Sequence, residues 1–424
     1  MRGRIDGQAP LFHTFSVEDR IRPDHPLRDV KRRADRILDA LSPKFTAAYA
    51  ATGRPSVPPE RLLKAQLLLA LYSIRSERQL CERIDTDLLF RWFLDLQPGD
   101  DAFVPAVFSH NRKRLDDAAL TRAFFDARGY TEVETPYAVP APGEEVHLRA
   151  FRTVQENVDG SERPLWLHTS PEFAMKRLLV AGAGPVFQLA RVWRDGEGSA
   201  RHAAEFSMLE WYRPGFDFDG LIDETAALLR AVLPPVVTSG GVRTSLAAFE
   251  RLTVAEAFFQ YARADVLGTA SDAQGLARSA GATLRTDESW EDLFFRLLLE
   301  RVEPHLGQAH PTFLTHWPAA QAALARRDPA DPRVALRFEL FVCGMELANA
   351  FEELTDAAEQ QARFVEDRAQ RHALYGPDWP LDEAFLAALR HGMPPASGIA
   401  LGFDRLAMLA AGADRIGQVL WLPD

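Results

Sequence analysis

Two kinds of hydrophobic spacing divide the chain. Up to about Leu115, apolar positions recur at helical intervals, and no period-two alternation interrupts them. Pro26-Leu27-Arg28 opens a segment running to about Leu41. Pro58-Pro59-Glu60 opens another, ERLLKAQLLLALYSI, whose apolar residues lie all round and predict a buried helix. Ser76-Glu77-Arg78-Gln79-Leu80 begins a third, continuing through Leu88-Leu89-Phe90-Arg91-Trp92-Phe93. Beyond Leu115 the pattern changes. Residues 118–128 read as helix, and Tyr130–Thr135, alternating between Gly129 and Pro136, reads as strand. Further strands are predicted at Leu165–His168, Pro185–Trp193, Phe206–Tyr212, Ala335–Val342 and Gly398–Leu401. Helices are predicted at 171–180, 220–232, 253–262, 289–303, 355–373, 382–390 and 404–411. Antiparallel-type strands with helices between them indicate an α+β fold behind an all-α front end.

Composition sharpens this division. A chain of 424 residues can bury a large core and hold more than one domain. Residues 1–115 carry 20 Lys+Arg against 15 Asp+Glu, a balance of +5, which leaves −16 for residues 116–424 in a chain of net charge −11. That asymmetry indicates two units with different partners, 1–115 and 116–424, and argues against general nucleic-acid binding by the whole molecule. Two cysteines, Cys81 and Cys343, exclude a disulfide framework and a Cys-based zinc site. The opening residues MRGRIDGQAP have no apolar core, and no apolar run reaches the length of a bilayer span, so the expected location is the cytoplasm, without a membrane.

Candidate chemistry concentrates in the second unit. Arg194, in WRDGEG, and Arg405, in GFDRL, each sit beside acidic and glycine residues. A guanidinium stays charged and forks onto phosphate oxygens, and glycine lets backbone approach a ligand, so the pair suits a polyphosphate gripped from two sides. Glu339, Glu346 and Glu353 recur every seven residues across a β-like stretch holding Gly344. Their apolar neighbours Phe338, Leu340, Leu347 and Phe351 argue against a merely solvated face. Carboxylate and phosphate oxygens together are what Mg²⁺ prefers. Ser170-Pro171-Glu172 reads as a capped helix start, with Ser at the N-cap and Pro in the first turn, which is also a rigid place to present an acid.

Taken in order, Gly129-Tyr130-Thr131-Glu132-Val133-Glu134-Thr135-Pro136, Arg194 with Glu205-Phe206, and Gly402-Phe403-Asp404-Arg405 resemble the three motifs of class II aminoacyl-tRNA synthetases of the lysine subgroup. Thr169–Leu179 (TSPEFAMKRLL), Met208–Pro214 (MLEWYRP) and Glu346–Asp356 (ELANAFEELTD) resemble more closely the elongation factor P–(R)-β-lysine ligase family, which lacks the anticodon-binding domain of lysyl-tRNA synthetases. Residues 1–115 resemble the N-terminal helical domain of DDE-type insertion-sequence transposases. The carriers are His25-Pro26-Leu27-Arg28, Gly53-Arg54-Pro55-Ser56, Ser73–Leu80 and Arg91–Leu94. The chain therefore reads as a fusion with its joint near Leu115–Ala119, and the first long helix of the ligase family starts only at about Arg122.

The ligase resemblance implies an antiparallel class II sheet with flanking helices, and a homodimer through the first motif. It implies ATP with Mg²⁺ as the activating pair, and (R)-β-lysine or lysine as the amino acid. Arg194 then holds the α-phosphate and the substrate carboxylate, and Arg405 the γ-phosphate. Asp195, Glu197, Glu346, Leu347 and Gly402 complete the ATP site, with Glu197 taking an adenine-facing role. Glu339 and Glu346 carry the metal. Ser170, Pro171, Glu172, Tyr212 and Glu353 face the amino acid, since a substrate with two ammonium groups needs several acids. The sequence departs from that pattern at Ala203-Ala204, where the family often has Asn-Pro, and at Ala350, commonly Gly. The implied activity is adenylation followed by transfer of the acyl group to a lysine side chain of elongation factor P. Two other readings stay open: tRNA lysylation, and an inactive ligase core whose only function is DNA binding by the front end, with Arg75, Arg78 and Arg91 as candidates.

Overall fold

The computed structural model describes residues 16–48, 58–72, 74, 77–97, 99–100, 120–376 and 379–419. Residues Gly53–Ser56, Arg75 and the expected joint at Leu115–Ala119 lie outside them, as does the Arg78 side chain. The chain divides into two compact units, Met1–Ala123 and Phe124–Asp424.

The described part of the first unit is helical, with helices Leu27–Ala48, Pro59–Leu71, Glu77–Thr86 and Leu88–Phe93. Its core gathers Ala65, Leu68, Leu80, Ile84, Phe90 and Phe93. The helix expected to run on to Phe93 is broken at Asp87, whose carboxylate accepts the Leu89 N–H at 2.9 Å and starts a new helix. The Pro59–Leu71 helix buries Ala65 and Leu68 but exposes Leu67 and Leu71, so it is not enclosed all round. Arg91 does not face outward. It is buried and donates to the carbonyls of Ile84 and Gln97 at 3.1 and 2.6 Å, tying its helix to the following turn. As a DNA contact it is corrected to a structural residue.

The second unit is built on eight strands in the order β1-β5-β6-β13-β12-β11-β10-β9. These are β1 (Thr131–Glu132), β5 (Val186–Trp193), β6 (Glu205–Pro214), β9 (Glu250–Thr253), β10 (Thr312–Pro318), β11 (Val334–Val342), β12 (Met345–Glu352) and β13 (Ala396–Gly402). All neighbours run antiparallel except the two edge pairs, β1 with β5 and β9 with β10. A separate three-stranded sheet, β2-β4-β3, holds β2 (Ala138–Val139), β4 (Glu162–Leu167) and β3 (Arg152–Glu156), and β7 (Val236–Ser239) pairs with β8 (Val242–Ser245) as a hairpin. The α+β expectation matches the fold, with the strand predicted at Tyr130–Thr135 reduced to two paired residues.

Strands not predicted have identifiable reasons. In β10 six of seven residues are buried, so no alternation marks it, and the register shifts between Thr315 and Trp317, where His316 has φ 55°. In β3 all five residues are exposed, so no apolar face marks it either. β11 and β12 form a hairpin through Cys343 and Gly344, with φ of 53° and 63°, a turn with both central residues left-handed.

The large sheet has one face on the main core. Leu209, Trp211, Ile399, Leu401, Ala348, Ala350, Phe338 and Leu340 pack there with Phe218, Leu221 and Leu229 of the helix Phe218–Val232. Alternation along each strand turns the intervening residues to the opposite face. Among the described residues no helix is long and apolar enough to cross a membrane.

Candidate active site

Strand register assembles the site on that opposite face. Residues directly across an antiparallel pair point the same way. Glu210, Ala400, Asn349 and Glu339 are successive partners across β6, β13, β12 and β11. One row over, Tyr212, Gly398, Phe351 and Arg337 are partners in the same way, and Met208 meets Gly402. Most of these residues floor a cavity of about 350 Å³ that is also lined by Glu145, Ser170, Glu172, Arg194, Glu197, Arg201, His202, Ala203, Glu346, Leu347, Asp404 and Arg405. Four guanidinium groups and a histidine thus share one cavity with at least five carboxylates.

Glu346 reaches this face through a local irregularity. Alternation from Asn349 places 347 toward the cavity and 346 toward the core. The β11–β12 register shifts between Leu340 and Phe341, so that Phe341 pairs with Glu346 while Leu340 pairs with Ala348. One extra residue in β12 re-aims Glu346 into the cavity beside Leu347. The spacing of seven residues seen in the sequence therefore brings Glu339 and Glu346 to one wall by a tight hairpin plus a bulge.

The two arginines come from different elements. Arg194 follows β5, where its N–H donates to the Ala204 carbonyl at 2.9 Å. Its guanidinium lies 3.6 Å from Glu197 and 5.2 Å from the centre of the Phe206 ring, and its Nε has no partner among the described residues. Arg405 sits in the first turn of the helix Phe403–Ala411. It donates to the Glu346 carbonyl at 2.7 Å and to Nε2 of His202. Burial and the Arg405 charge push His202 below the ordinary imidazole range, so its ring is a neutral acceptor there. Asp404 anchors the same turn by accepting the Ser207 N–H at 2.8 Å.

Acids crowd the other end. Ser170 Oγ and Tyr212 OH donate to the two oxygens of Glu210, at 2.6 and 2.7 Å. Burial and the neighbouring Glu172 nevertheless push Glu210 up to about 8. Below it lies Lys176, fully buried in the helix Glu172–Val180. Its ammonium is 2.6 Å from Glu172 and 2.5 Å from Glu353. Burial alone would lower Lys176, but the two carboxylates hold it well above the ordinary lysine range. The helix begins one residue later than expected, with Pro171 at the N-cap, and Ser170 Oγ accepts the Glu172 N–H at 3.0 Å.

Glu353 and Tyr212 support the cavity from behind rather than lining it. Gly398 makes room for both: a Cβ there would stand 2.2 Å from the Tyr212 ring and 2.4 Å from Glu353 Oε1. Gly398→Ala is therefore expected to cost about 1–3 kcal/mol by overpacking and to raise KM for the amino acid. Denaturant unfolding and amino-acid titrations of adenylate formation check both. Asp195 is turned to Arg149, 2.7 Å away, outside the cavity wall. Ala203 lines the cavity, whereas Ala350 is buried on the core face, so its methyl does not intrude on the site.

Glu339 is buried, lies 2.5 Å from Arg337, and is pushed up to about 8 by burial and by Glu346. Two carboxylates that repel each other on a wall otherwise rich in arginine fit a divalent cation arriving with phosphates. Among the described residues no cluster of three or more His, Cys, Asp and Glu forms a complete protein cage.

Sequence reasoning did not single out Glu210, Lys176, Arg337 or Asn349. Glu210 carried a usable signal, because alternation in β6 puts it on one face with Met208 and Tyr212. Its titration has a consequence for stability. Above about pH 4.5 the unfolded chain has released a proton that folded Glu210 keeps until about pH 8, so stability falls as pH rises through that window. Glu210→Gln is expected to flatten the decline in thermal midpoint between about pH 6 and about pH 8.5.

A largely antiparallel sheet that brings an arginine from a strand end and an arginine from the C-terminal helix to one cavity is a class II synthetase catalytic unit. The family model for tRNA synthetases class II (D, K and N) matches residues 105–424, and that for a transposase domain (DUF772) matches residues 15–114. Two relatives are each called elongation factor P--(R)-beta-lysine ligase. The one from Hamiltonella defensa subsp. Acyrthosiphon pisum (strain 5AT) is 42% identical over 323 residues, covering 75% of this chain and 96% of the relative. The one from Proteus mirabilis (strain HI4320) is 44% identical over 318 residues, covering 73% and 94%. The chain belongs to the elongation factor P–(R)-β-lysine ligase family, with a transposase-type helical domain ahead of the ligase core.

Proposed function

We propose that the chain activates (R)-β-lysine, or lysine, with ATP and transfers the acyl group to a lysine side chain of elongation factor P. The observation that carries this reading is the polarity of one cavity. Arg194, Arg201 and Arg405 stand at one end, Glu172 and Glu210 at the other, and Glu339 with Glu346 on the wall between. A diamino acid presents its ammonium groups to the acids and its carboxylate toward the arginines. A carboxylate oxygen of the amino acid attacks the α-phosphorus and pyrophosphate leaves. The target amine then attacks the acyl carbon, an amide forms, and AMP leaves. Arg194 steadies the α-phosphate and the attacking carboxylate, and Arg405 the γ-phosphate. Mg²⁺, held by Glu339 and Glu346, supplies neutralisation of the polyphosphate charge. Ser170, Pro171 and Glu172 set the amino-acid end, with Tyr212 and Glu353 behind. Asp195, Glu197, Leu347 and Gly402 border the nucleotide. In this reading residues 1–115 and 116–424 are separate functional units.

Amino-acid-dependent ATP–pyrophosphate exchange, with (R)-β-lysine and α-lysine compared, tests the first half-reaction. Mass spectrometry of elongation factor P after incubation tests the second. Exchange with (R)-β-lysine and a matching mass gain on elongation factor P is the expected result. A folded chain giving exchange with neither amino acid sinks the reading, and acylation of tRNA in place of elongation factor P redirects it.

A further inference from the structure

The strand β3 ends its sheet, paired to β4 on one side only, and all five of its residues, Arg152-Thr153-Val154-Gln155-Glu156, are exposed. It carries none of the usual protections of an edge: no proline, no bulge and no lysine. Val154 is 50% exposed and, at the hairpin tip, Val158 is 110% exposed.

The backbone pattern shows which groups face outward. The Leu167 N–H donates to the Phe151 carbonyl at 2.9 Å, and the Asn157 N–H to the Ser161 carbonyl at 2.8 Å. Hydrogen-bonded pairs alternate along an antiparallel ladder, so Thr153 and Gln155 are also turned toward β4. Arg152, Val154 and Glu156 occupy the other places and point their N–H and C=O groups at the free edge. Pro164, opposite Val154 in β4, agrees with this, since it has no N–H to offer there.

The outward row is also complementary to itself. If a second β3 runs antiparallel about a two-fold axis through Val154, then Arg152 faces Glu156 of the second copy, Thr153 faces Gln155, and Val154 faces Val154. The pairs Arg152–Glu156, Val154–Val154 and Glu156–Arg152 are the places where both strands present N–H and C=O groups, so each exchanges both backbone bonds. Charge order, backbone polarity and apolar centre share one axis. We infer that the β3 edge is a docking surface for a second copy of this chain, joining two three-stranded sheets into one continuous sheet across a two-fold axis.

The test uses the full chain in sedimentation velocity and in mild oxidation. Arg152→Glu alone and Glu156→Arg alone each place like charges opposite one another twice per dimer and should weaken association roughly tenfold or more. The double substitution Arg152→Glu/Glu156→Arg restores opposite charges and should restore the dimer. Facing residues in such a pair are roughly 5.5 Å apart at Cα, within disulfide range, so Val154→Cys should give a covalent dimer. Thr153→Cys, which faces Gln155 instead of itself, should not, and the native Cys81 and Cys343 are buried. A chain that is monomeric at every concentration reached overturns the inference. So does a dimer indifferent to both charge reversals and uncrosslinked by Val154→Cys.

Discussion

Arg405→Ala should lower ATP–pyrophosphate exchange by about 10²–10³-fold while leaving the fold intact, the loss typical of removing one charged donor aimed at a developing anion. The residue is half-exposed toward the cavity, and only one of its two terminal nitrogens is committed to protein, through the Glu346 carbonyl at 2.7 Å. The other meets the neutral ring of His202, an acceptor that an incoming phosphate oxygen outcompetes. Arg405→Lys should recover little, because one ammonium cannot keep the backbone anchor and fork onto phosphate together. Single-turnover adenylate formation, read beside an unchanged thermal midpoint, is the deciding measurement. Full exchange activity in Arg405→Ala would remove this residue from the nucleotide site.

Lys176→Met should destabilise the second unit by about 3–5 kcal/mol, the cost of taking one partner out of a buried ion pair. The ammonium stands 2.6 Å from Glu172 and 2.5 Å from Glu353, both inside the protein, and no water-exposed group is placed to replace it. Without it, Glu353 keeps a buried charge beside Tyr212 or takes up a proton. The sign of the pH dependence follows. Burial already pushes Glu353 up, so the variant should regain stability as pH falls and that carboxyl protonates. Adding Glu353→Gln removes the stranded charge and should return part of the loss. Urea unfolding of the single and double variants at two pH values measures all of this. A Lys176→Met protein as stable as the parent would mean that the acids are not held together by this cation.

The same cation changes how the acid cluster is read. From sequence, Glu172, Glu353 and Tyr212 face the amino acid because a diamino substrate needs acids. In the fold, Glu172 and Glu353 already share an internal ammonium, and Tyr212 donates to Glu210. Glu210 is the acid with hydroxyl donors on both oxygens and no cation of its own within hydrogen-bond distance. It lay inside a string quoted for its family resemblance, yet nothing local distinguishes it from any glutamate in a strand.

Much was legible without coordinates. Helices at 171–180, 382–390 and 404–411 stand within a residue or two of Glu172–Val180, Glu383–Gly392 and Phe403–Ala411, because their caps and periodicity are local. Strands β5, β6, β11 and β13 were found for the same reason. Both arginines were found because glycine and acid neighbours mark them. The family was readable from short strings, since residues that meet in one site were already adjacent in sequence within each string.

The sequence by itself thus determined a helical front end, an α+β core, and two arginines and a glutamate series aimed at phosphate and metal. The tertiary structure decided which face of the sheet is the site and which is the core. Alternation sorts residues into two faces, but the face that is buried depends on where the helix Phe218–Val232 packs, many residues away. It also decided that Glu346 turns into the cavity, through a register shift visible only when β11 and β12 are paired. And it decided that Lys176 lies between Glu172 and Glu353, a meeting of residues 177 positions apart, which no local spacing encodes.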